Sequence, residues 1–233
     1  MFPLRDENPT TRITWMTWLL VGANVAVFTY EVYLRYAGGE APLETFVSRW
    51  AFDPARLAAA PTSPGVWLTV LTAMFLHAGW IHVGGNMLYL WIFGNNVEDR
   101  FGPWRFLAFY LACGVAATLA QTVATGPIDV ANLGASGAVA GVLGAYLILY
   151  PRARVLTAVF IVIVVELTLV PAWVVIMVWF VIQLGAGIAS IGPAAALGGV
   201  AYVAHVGGFA AGIGLTLPVW LSDRRRGRFV AWR

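Results

Sequence analysis

The chain has 233 residues, of which 60% are hydrophobic and only 11% are charged. A soluble domain of this length could not hide so much apolar surface, so the composition excludes a water-soluble protein and predicts an integral membrane protein. The net charge of +3 does not indicate a nucleic-acid-binding protein, because the basic residues lie at the ends of apolar segments, as membrane topology requires. We expect a single domain over residues 1–233.

Apolar segments of about 20 residues predict membrane helices. Such segments cover residues 14–36, 79–97, 103–124, 136–150, 171–191 and 199–221. The fourth is short for a full crossing at ~1.5 Å per residue. The predicted fold class is therefore an all-α membrane protein, a six-transmembrane-helix bundle with a long outer loop between helices 1 and 2 and a short fourth helix.

Residues 152–170 do not fit one interpretation. The segment is rich in Val, Ile and Thr and carries Glu166. It is compatible with a loop or hairpin next to the lipid, or with an extension of the fifth helix through Pro171. A seventh span is disfavoured, because too few residues remain for another turn and crossing.

The arginines predict the orientation. With six spans both termini lie on one side, and eleven of the fourteen arginines share that side. The positive-inside rule then places both termini in the cytoplasm and predicts a multi-pass protein of the cell (inner) membrane.

Polar residues of the apolar segments cluster at one depth. In this topology the second, fourth and sixth helices all begin near the outer face. Polar and ionisable groups inside a membrane are costly and are functional candidates. Those found near these three helix starts are His77, His82, Asn86, Ser136 and His205.

Ser136 has unusual neighbours. Gly134 and Gly137 flank it in "GASG", so a second backbone could approach its hydroxyl. A serine in a membrane helix usually only hydrogen-bonds its own backbone or a neighbouring helix. The pattern also differs from the Gly-x-Ser-x-Gly turn of soluble hydrolases, because Ala138 takes the place of the last glycine.

Two stripes of small residues recur at helical spacing, one in the fourth helix and one in the sixth. Taken alone, each stripe indicates only close helix packing. Packing the two together would bring Ser136 and His205 within reach, which is the geometry of a serine nucleophile and its general base. The stripes consist of Gly137, Gly141 and Gly144, and of His205, Gly208 and Gly212.

His82 and Asn86 are four residues apart and share a helix face. Both can donate hydrogen bonds to the oxyanion of an acyl-transfer intermediate, and the Ser136 N–H is a further donor. Bonding to a neighbouring helix is the structural alternative for both side chains. The three histidines also suggest zinc, but no His-Glu-x-x-His motif is present and no carboxylate shares their helical turns. We expect neither a metal nor a cofactor.

Four motifs, in order and at suitable spacing, resemble the rhomboid family of intramembrane serine proteases in its bacterial form. They are "HAGWIHVGGNM", "FGNNVEDRFG", "GASGAVAG" and "AHVGGFAAG", and the resemblance covers about residues 69–215. It implies a six-helix bundle in the lipid bilayer that cleaves transmembrane segments of other proteins near the outer membrane face.

Carried over residue by residue, the resemblance implies a dyad without an acid. Ser136 would be the nucleophile and His205 the general base, and His82, Asn86 and the Ser136 amide would form the oxyanion hole. His77 would organise the loop above them. Glu98 and Arg100 would form a structural cap at the cytoplasmic end of the second helix.

The chain departs from the family pattern at two places. Many relatives have Trp-Arg before the second helix, whereas Trp67 is followed here by Leu68. Some relatives place an aromatic ring on the catalytic histidine from four residues after the serine, and that position is Ala140 here. His205 therefore needs another support, for which Tyr202 is a candidate.

The favoured function is thus an intramembrane serine endopeptidase, with substrate admitted beside the second and fifth helices and residues 190–199 as a lid. A catalytically silent relative that binds transmembrane helices as a chaperone or adaptor is the alternative, and the intact dyad argues against it. A transporter using the three histidines as a proton relay would require repeat symmetry between the halves, which the sequence lacks. The cleaved sequence and the oligomeric state are not encoded in any recognisable pattern.

Overall fold

The computed structural model describes residues 1–127, 130–161, 164–189 and 201–225. Within these ranges the chain forms nine α-helices, one 3₁₀ turn and three β-strands. The helices are α1 (Trp15–Gly38), α2 (Glu40–Trp50), α3 (Pro54–Ala59), α4 (Pro64–Thr72), α5 (Trp80–Phe101), α6 (Pro103–Thr125), α7 (Ser136–Leu149), α8 (Ala172–Ala189) and α9 (Tyr202–Arg225). The strands are β1 (Phe2–Asp6), β2 (Arg154–Ile161) and β3 (Val164–Pro171).

The mostly helical membrane class is confirmed. Four described helices, α1, α6, α8 and α9, are long and apolar enough to cross a membrane, and α4 with α5 makes a fifth candidate that is bent by 85°. The apolar helix α7 has 14 residues and is shorter than a full span. The crossing of six helices stays a prediction.

The long segment between α1 and α5 is structured. It contains α2, α3, α4 and a 3₁₀ turn at Ala73–Phe75. Phe52, fully buried, exchanges both backbone hydrogen bonds with Asn132, at 3.1 and 2.7 Å. The Gly134 N–H donates to the Ala73 carbonyl at 2.8 Å. These bonds fix the stretch of chain that leads into α7.

Helix α7 lies at the centre of the bundle and is buried along most of its length. It packs most closely on α9, where a Cβ at Gly208 would overlap the Gly137 carbonyl and a Cβ at Gly212 would overlap the Gly141 carbonyl. In lipid, helices associate through such close backbone contact, because apolar side chains gain little from leaving the acyl chains. The two small-residue stripes therefore meet, as expected from their spacing.

Three consecutive residues near the end of α5 bind the N-terminal segment and the end of α9. We name this side of the bundle the terminal end. The buried Glu98 carboxylate accepts hydrogen bonds from the Met16 N–H at 2.9 Å and from the Thr17 N–H and hydroxyl, both at 2.7 Å. It thereby satisfies the free N–H groups at the start of α1, which the side chain of Thr14 does not cap.

The next two residues continue this pattern. Asp99 accepts hydrogen bonds from the backbone and the hydroxyl of Thr11, at 3.0 Å. Arg100 forms an ion pair with Asp223 near the end of α9. The expected structural cap at Glu98 and Arg100 agrees with these contacts, which join α5 to both terminal segments.

Within 152–170 the described residues form two paired strands, β2 and β3, which agrees with the hairpin alternative left open by the sequence. The strands pair antiparallel, with Arg154 opposite Pro171, and β1 joins the other edge of β2 with Phe2 opposite Ala158. β-Branched residues favour this extended conformation over a helix. The three-stranded sheet is an addition to the all-α class, because β1 was not expected from the sequence.

Asp6 connects the sheet to the bundle. Its carboxylate accepts hydrogen bonds from the Asn96 amide and the Tyr146 hydroxyl, both at 2.7 Å. Burial is the main influence on this group and raises the pKa of Asp6 from 3.8 to about 6, although the bond from Tyr146 opposes the change. The carboxylate is therefore held in a site that disfavours its charge.

Gly208→Ala tests the α7–α9 contact. The added methyl group would meet the Gly137 carbonyl, so we expect a loss of about 1–3 kcal/mol in stability from overpacking. Gly214→Ala on the same helix is the matched control, since no atom lies within 4 Å of its Cβ position. Thermal denaturation in detergent should rank Gly208→Ala well below Gly214→Ala, and equal midpoints would contradict the close contact.

Asp6→Asn tests the buried carboxylate. The folded protein takes up a proton at about pH 6 and the unfolded chain at about pH 4, so wild-type stability should rise as the pH falls from 7 to 5. The gain should be on the order of 1–2 kcal/mol after solvent screening. Asp6→Asn should lack this part of the pH dependence in the same denaturation assay. A variant whose midpoint follows wild type across that range would show that Asp6 is not its source.

Candidate active site

Ser136 and His205 lie near the contact between the starts of α7 and α9. Ser136 is the first residue of α7, and His205 lies in the first turn of α9. A Cβ at Gly137 would lie 3.8 Å from the carbonyl oxygen of Ala204, so the residues next to Ser136 and His205 are in contact. His205 is 7% exposed. The structure thus packs together the two helix starts that carry these residues, and the contact of Ser136 with His205 stays a prediction.

Gly134 separates His82 from Ser136. A Cβ on Gly134 would lie 2.8 Å from His82 Nε2 and 3.7 Å from Ser136 Oγ. Its φ of +123° is also a backbone conformation that only glycine adopts readily. Any side chain at this position would therefore fill the space that the imidazole and the hydroxyl share.

The hydrogen bonding of His82 determines which ring nitrogen carries the proton. The Ala78 N–H donates to His82 Nδ1 at 3.4 Å, so Nδ1 is the acceptor and the proton of the neutral ring is on Nε2. This N–H is on the side of the ring that faces Gly134. One turn further along α5, Asn86 is 8% exposed, and its amide nitrogen has no hydrogen-bond partner among the described residues.

His77 lies behind His82, away from the serine. Its ring makes an edge contact with His82 at 5.1 Å and another with Phe28 at 6.4 Å between centroids. Its backbone N–H donates to the buried Glu31 carboxylate of α1 at 3.2 Å. These contacts hold the link between the 3₁₀ turn and α5, which carries His82.

His205 is supported from α8. Its Nδ1 lies 2.7 Å from the Gln183 side-chain oxygen, and the Trp179 ring lies 6.0 Å away at an angle of 34°. Tyr202 makes an edge contact at 6.2 Å, so the candidate named from the sequence does contact the ring. The sequence analysis missed Gln183, although it is the one amide or charged side chain in α8 and could have been noticed on that ground.

A small cavity of about 40 Å³ opens beside Ser136. That volume is sufficient for a water molecule, and Gln121 and Asn132 contribute polar groups to its wall. Gln121 also accepts a hydrogen bond from the Ala204 N–H at 3.0 Å, which fixes the start of α9. A larger cavity of about 680 Å³ lies at the terminal end, between the start of α6 and the end of α9. The cavity beside Ser136 is lined instead by the second half of α6 and the start of α9.

Two predictions from the sequence, the absence of a metal and the lid, stay predictions. In the part of the chain that the structure describes, no group of three His, Cys, Asp or Glu side chains could hold a metal ion, and the absence of a metal stays a prediction. The expected lid at residues 190–199 lies outside the described residues.

Comparisons with known proteins show which family and which proteins the chain is similar to. Residues 64–222 match the Rhomboid domain family. Rhomboid protease GluP of Bacillus subtilis is 35% identical over 131 residues, which cover 56% of this chain and 24% of that protein. Putative rhomboid protease YdcA of the same organism is 36% identical over 83 residues, covering 36% of this chain and 41% of that protein. Rhomboid-type serine protease 2 of Emericella nidulans is 31% identical over 86 residues, covering 37% and 17% of the two chains.

These matches span well under half the length of each relative. The family match, in contrast, covers more than half of this chain. It includes Ser136, His205, His82, Asn86 and Gln183. The chain therefore belongs to the rhomboid family.

Proposed function

We propose that this protein is an intramembrane serine endopeptidase that cleaves transmembrane segments of other membrane proteins. The observation that carries the proposal is the close packing of α7 on α9, whose first turns carry Ser136 and His205. A serine hydroxyl needs an adjacent base to become a nucleophile. The serine protease name of a family relative supports the same reaction class.

In the proposed reaction, His205 Nε2 takes the proton from the Ser136 hydroxyl as Oγ attacks the peptide carbonyl carbon. The imidazolium then gives that proton to the leaving amine, and the C–N bond breaks. An acyl-enzyme remains on Ser136. Water, deprotonated by His205, then attacks the ester carbonyl carbon. The C–Oγ bond breaks, the imidazolium returns its proton to Ser136 Oγ, and the carboxylic acid product leaves.

Three donors support an oxyanion hole. The His82 Nε2–H is directed towards Gly134, and the Ser136 N–H is at the start of a helix. The amide nitrogen of Asn86 is buried and has no partner among the residues that the structure describes. A buried donor with no partner is costly. Such a cost is reasonable where an oxyanion forms, because a donor already in place stabilises the transition state by about 10²–10³ in rate.

The cavity next to Ser136 supports the hydrolytic step. Its volume of about 40 Å³ provides room for the water that the second half of the reaction consumes. Gln121 and Asn132 in its wall are groups that would hold such a water by hydrogen bonds.

The proposed orientation has both termini in the cytoplasm and the site near the outer face of the cell membrane. The excess of arginine on the terminal side is the support for this orientation. Exposed tryptophans at the starts of helices on that side mark it as a membrane interface, since aromatic belts occur at both interfaces. These tryptophans are Trp15, Trp104 and Trp173, which are 41%, 69% and 50% exposed.

We further propose that the substrate is admitted beside α8, which corresponds to the fifth helix predicted from the sequence. Helix α8 is buried at only four described residues and packs on α9 near the proposed base through Gly187 and Tyr202. Movement of α8 would open a lateral path to Ser136 while α7 and α9 stay packed. The substrate segment would have to unwind there, and unwound backbone is tolerated where protein or water surrounds it.

Labelling with a fluorophosphonate tests the dyad. The wild-type protein should react at Ser136, and Ser136→Ala and His205→Ala should label at least about 10²-fold more slowly. Ser222→Ala, at the terminal end of α9, is the control and should label like wild type. Undiminished labelling of Ser136→Ala would contradict the proposal, and a folded wild-type protein that does not label would favour the non-catalytic helix-binding alternative.

A disulfide between α8 and α9 tests the path of the substrate. A Cβ at Gly187 would lie 3.5 Å from the Cβ of Tyr202, which suits a disulfide. The oxidised Gly187→Cys, Tyr202→Cys protein should still react with the small fluorophosphonate. It should cleave a single-span fusion protein with a Gly-rich transmembrane segment at least about tenfold more slowly than its own reduced form.

The reduced protein is the matched control, since it carries the same substitutions. Both single-cysteine variants should be insensitive to oxidant, and the native Cys113 is buried. Equal cleavage of the fusion protein by the oxidised and reduced forms would show that the substrate does not pass beside α8.

A further inference from the structure

The proposed base is held by a helix other than the two that form the dyad. His205 Nδ1 lies 2.7 Å from Gln183 Oε1, and these residues stand on α9 and α8. No aromatic ring reaches His205 from position 140, because that residue is a fully buried alanine. The support for the histidine has to be sought on α8.

The contact with Gln183 determines the state of the histidine ring. An amide oxygen only accepts hydrogen bonds, so its partner Nδ1 must carry a proton. In a neutral imidazole the other nitrogen, Nε2, then has a free lone pair. That is the nitrogen with which a general base would take the proton of Ser136.

Helix α8 also fixes the plane of the ring. Trp179 is one turn before Gln183, and its ring lies 6.0 Å from the His205 ring and 6.3 Å from that of Phe209. The stacked pair of Phe180 and Phe209, at 4.5 Å, joins the same two helices. Gln183 and Trp179 therefore act together, and both leave His205 if α8 moves.

We propose that Gln183 is a positioning residue that orients His205 only while α8 is seated against α9. The inference rests on the proposed function and adds a control of the dyad by the position of α8. While α8 is displaced to admit a substrate, His205 has lost the acceptor for its Nδ1 proton. Return of α8 restores that bond, so the serine is activated only once the site has closed.

Two titratable side chains lie near His205 among the described residues. They are Tyr202 on its own helix and His82 on α5. No carboxylate of the described chain is hydrogen-bonded to its ring. A carboxylate introduced at position 183 would consequently be a new charge for the imidazole.

The test compares substitutions at position 183 by the rate of fluorophosphonate labelling between pH 5 and 9. Gln183→Leu keeps the approximate size but removes the acceptor, and we expect labelling to slow about tenfold, the size of one hydrogen bond. Gln183→Glu keeps an acceptor. It should label at a rate near that of wild type at high pH, with the acidic limb of its profile moved to higher pH, because the carboxylate stabilises the protonated imidazole.

Leu184→Ala, on a 40% exposed neighbouring residue of α8, is the matched control and should leave both rate and profile unchanged. Wild-type labelling by Gln183→Leu would overturn the inference. Equal slowing of the Leu and Glu variants, with an unmoved profile, would also overturn it, because the residue would then serve packing alone. If Gln183→Leu does not fold, the profile of Gln183→Glu decides.

Failure of this inference is distinguishable from failure of the proposed function. Loss of labelling in Ser136→Ala supports the dyad whatever happens at position 183. If Ser136→Ala labels like wild type, the proposed function itself fails.

Discussion

The backbone contact between α7 and α9 is the constraint on which the site depends. In lipid there is little hydrophobic gain in bringing two helices together, so their separation is set by how small the facing residues are. Gly137 and Gly141 meet Gly208 and Gly212 with no room for a methyl group. Any larger residue in this seam would move α9 outward and carry His205 away from Ser136. The same glycines that pack the core therefore set the distance between the proposed nucleophile and its base.

Glu98 and Asn86 are buried polar side chains that differ in their hydrogen bonding. At the terminal end, Glu98 receives three short hydrogen bonds and closes the open end of α1. Near Ser136, the Asn86 amide has no partner within the described chain. Since an unpaired buried donor lowers stability, it is tolerated only if the rest of the fold is secured elsewhere. The hydrogen bonds of Glu98 contribute to that security, and in the proposed function the Asn86 donor meets a charge that exists only during the reaction.

Sequence patterns predicted the site better than its supports. Ser136 and His205 could be paired because glycine spacing along two helices identifies faces that pack. The sheet could not be predicted in full, because β1 and β2 lie about 150 residues apart and their pairing leaves no local pattern. Gln183 was missed for a related reason. Hydropathy shows that α8 is apolar, but it does not show which face of α8 contacts α9. The role of a single amide in such a helix depends on that contact.

Ala140 connects these points. A ring carried by α7 itself would come from a helix that is buried along most of its length. In this chain the ring and the hydrogen-bond acceptor come instead from Trp179 and Gln183 of α8, which is buried at few positions. The support of the proposed base thus comes from a peripheral helix and not from the enclosed one. The alanine at position 140 therefore leaves the proposed base under the control of α8, the helix beside which the substrate is proposed to pass.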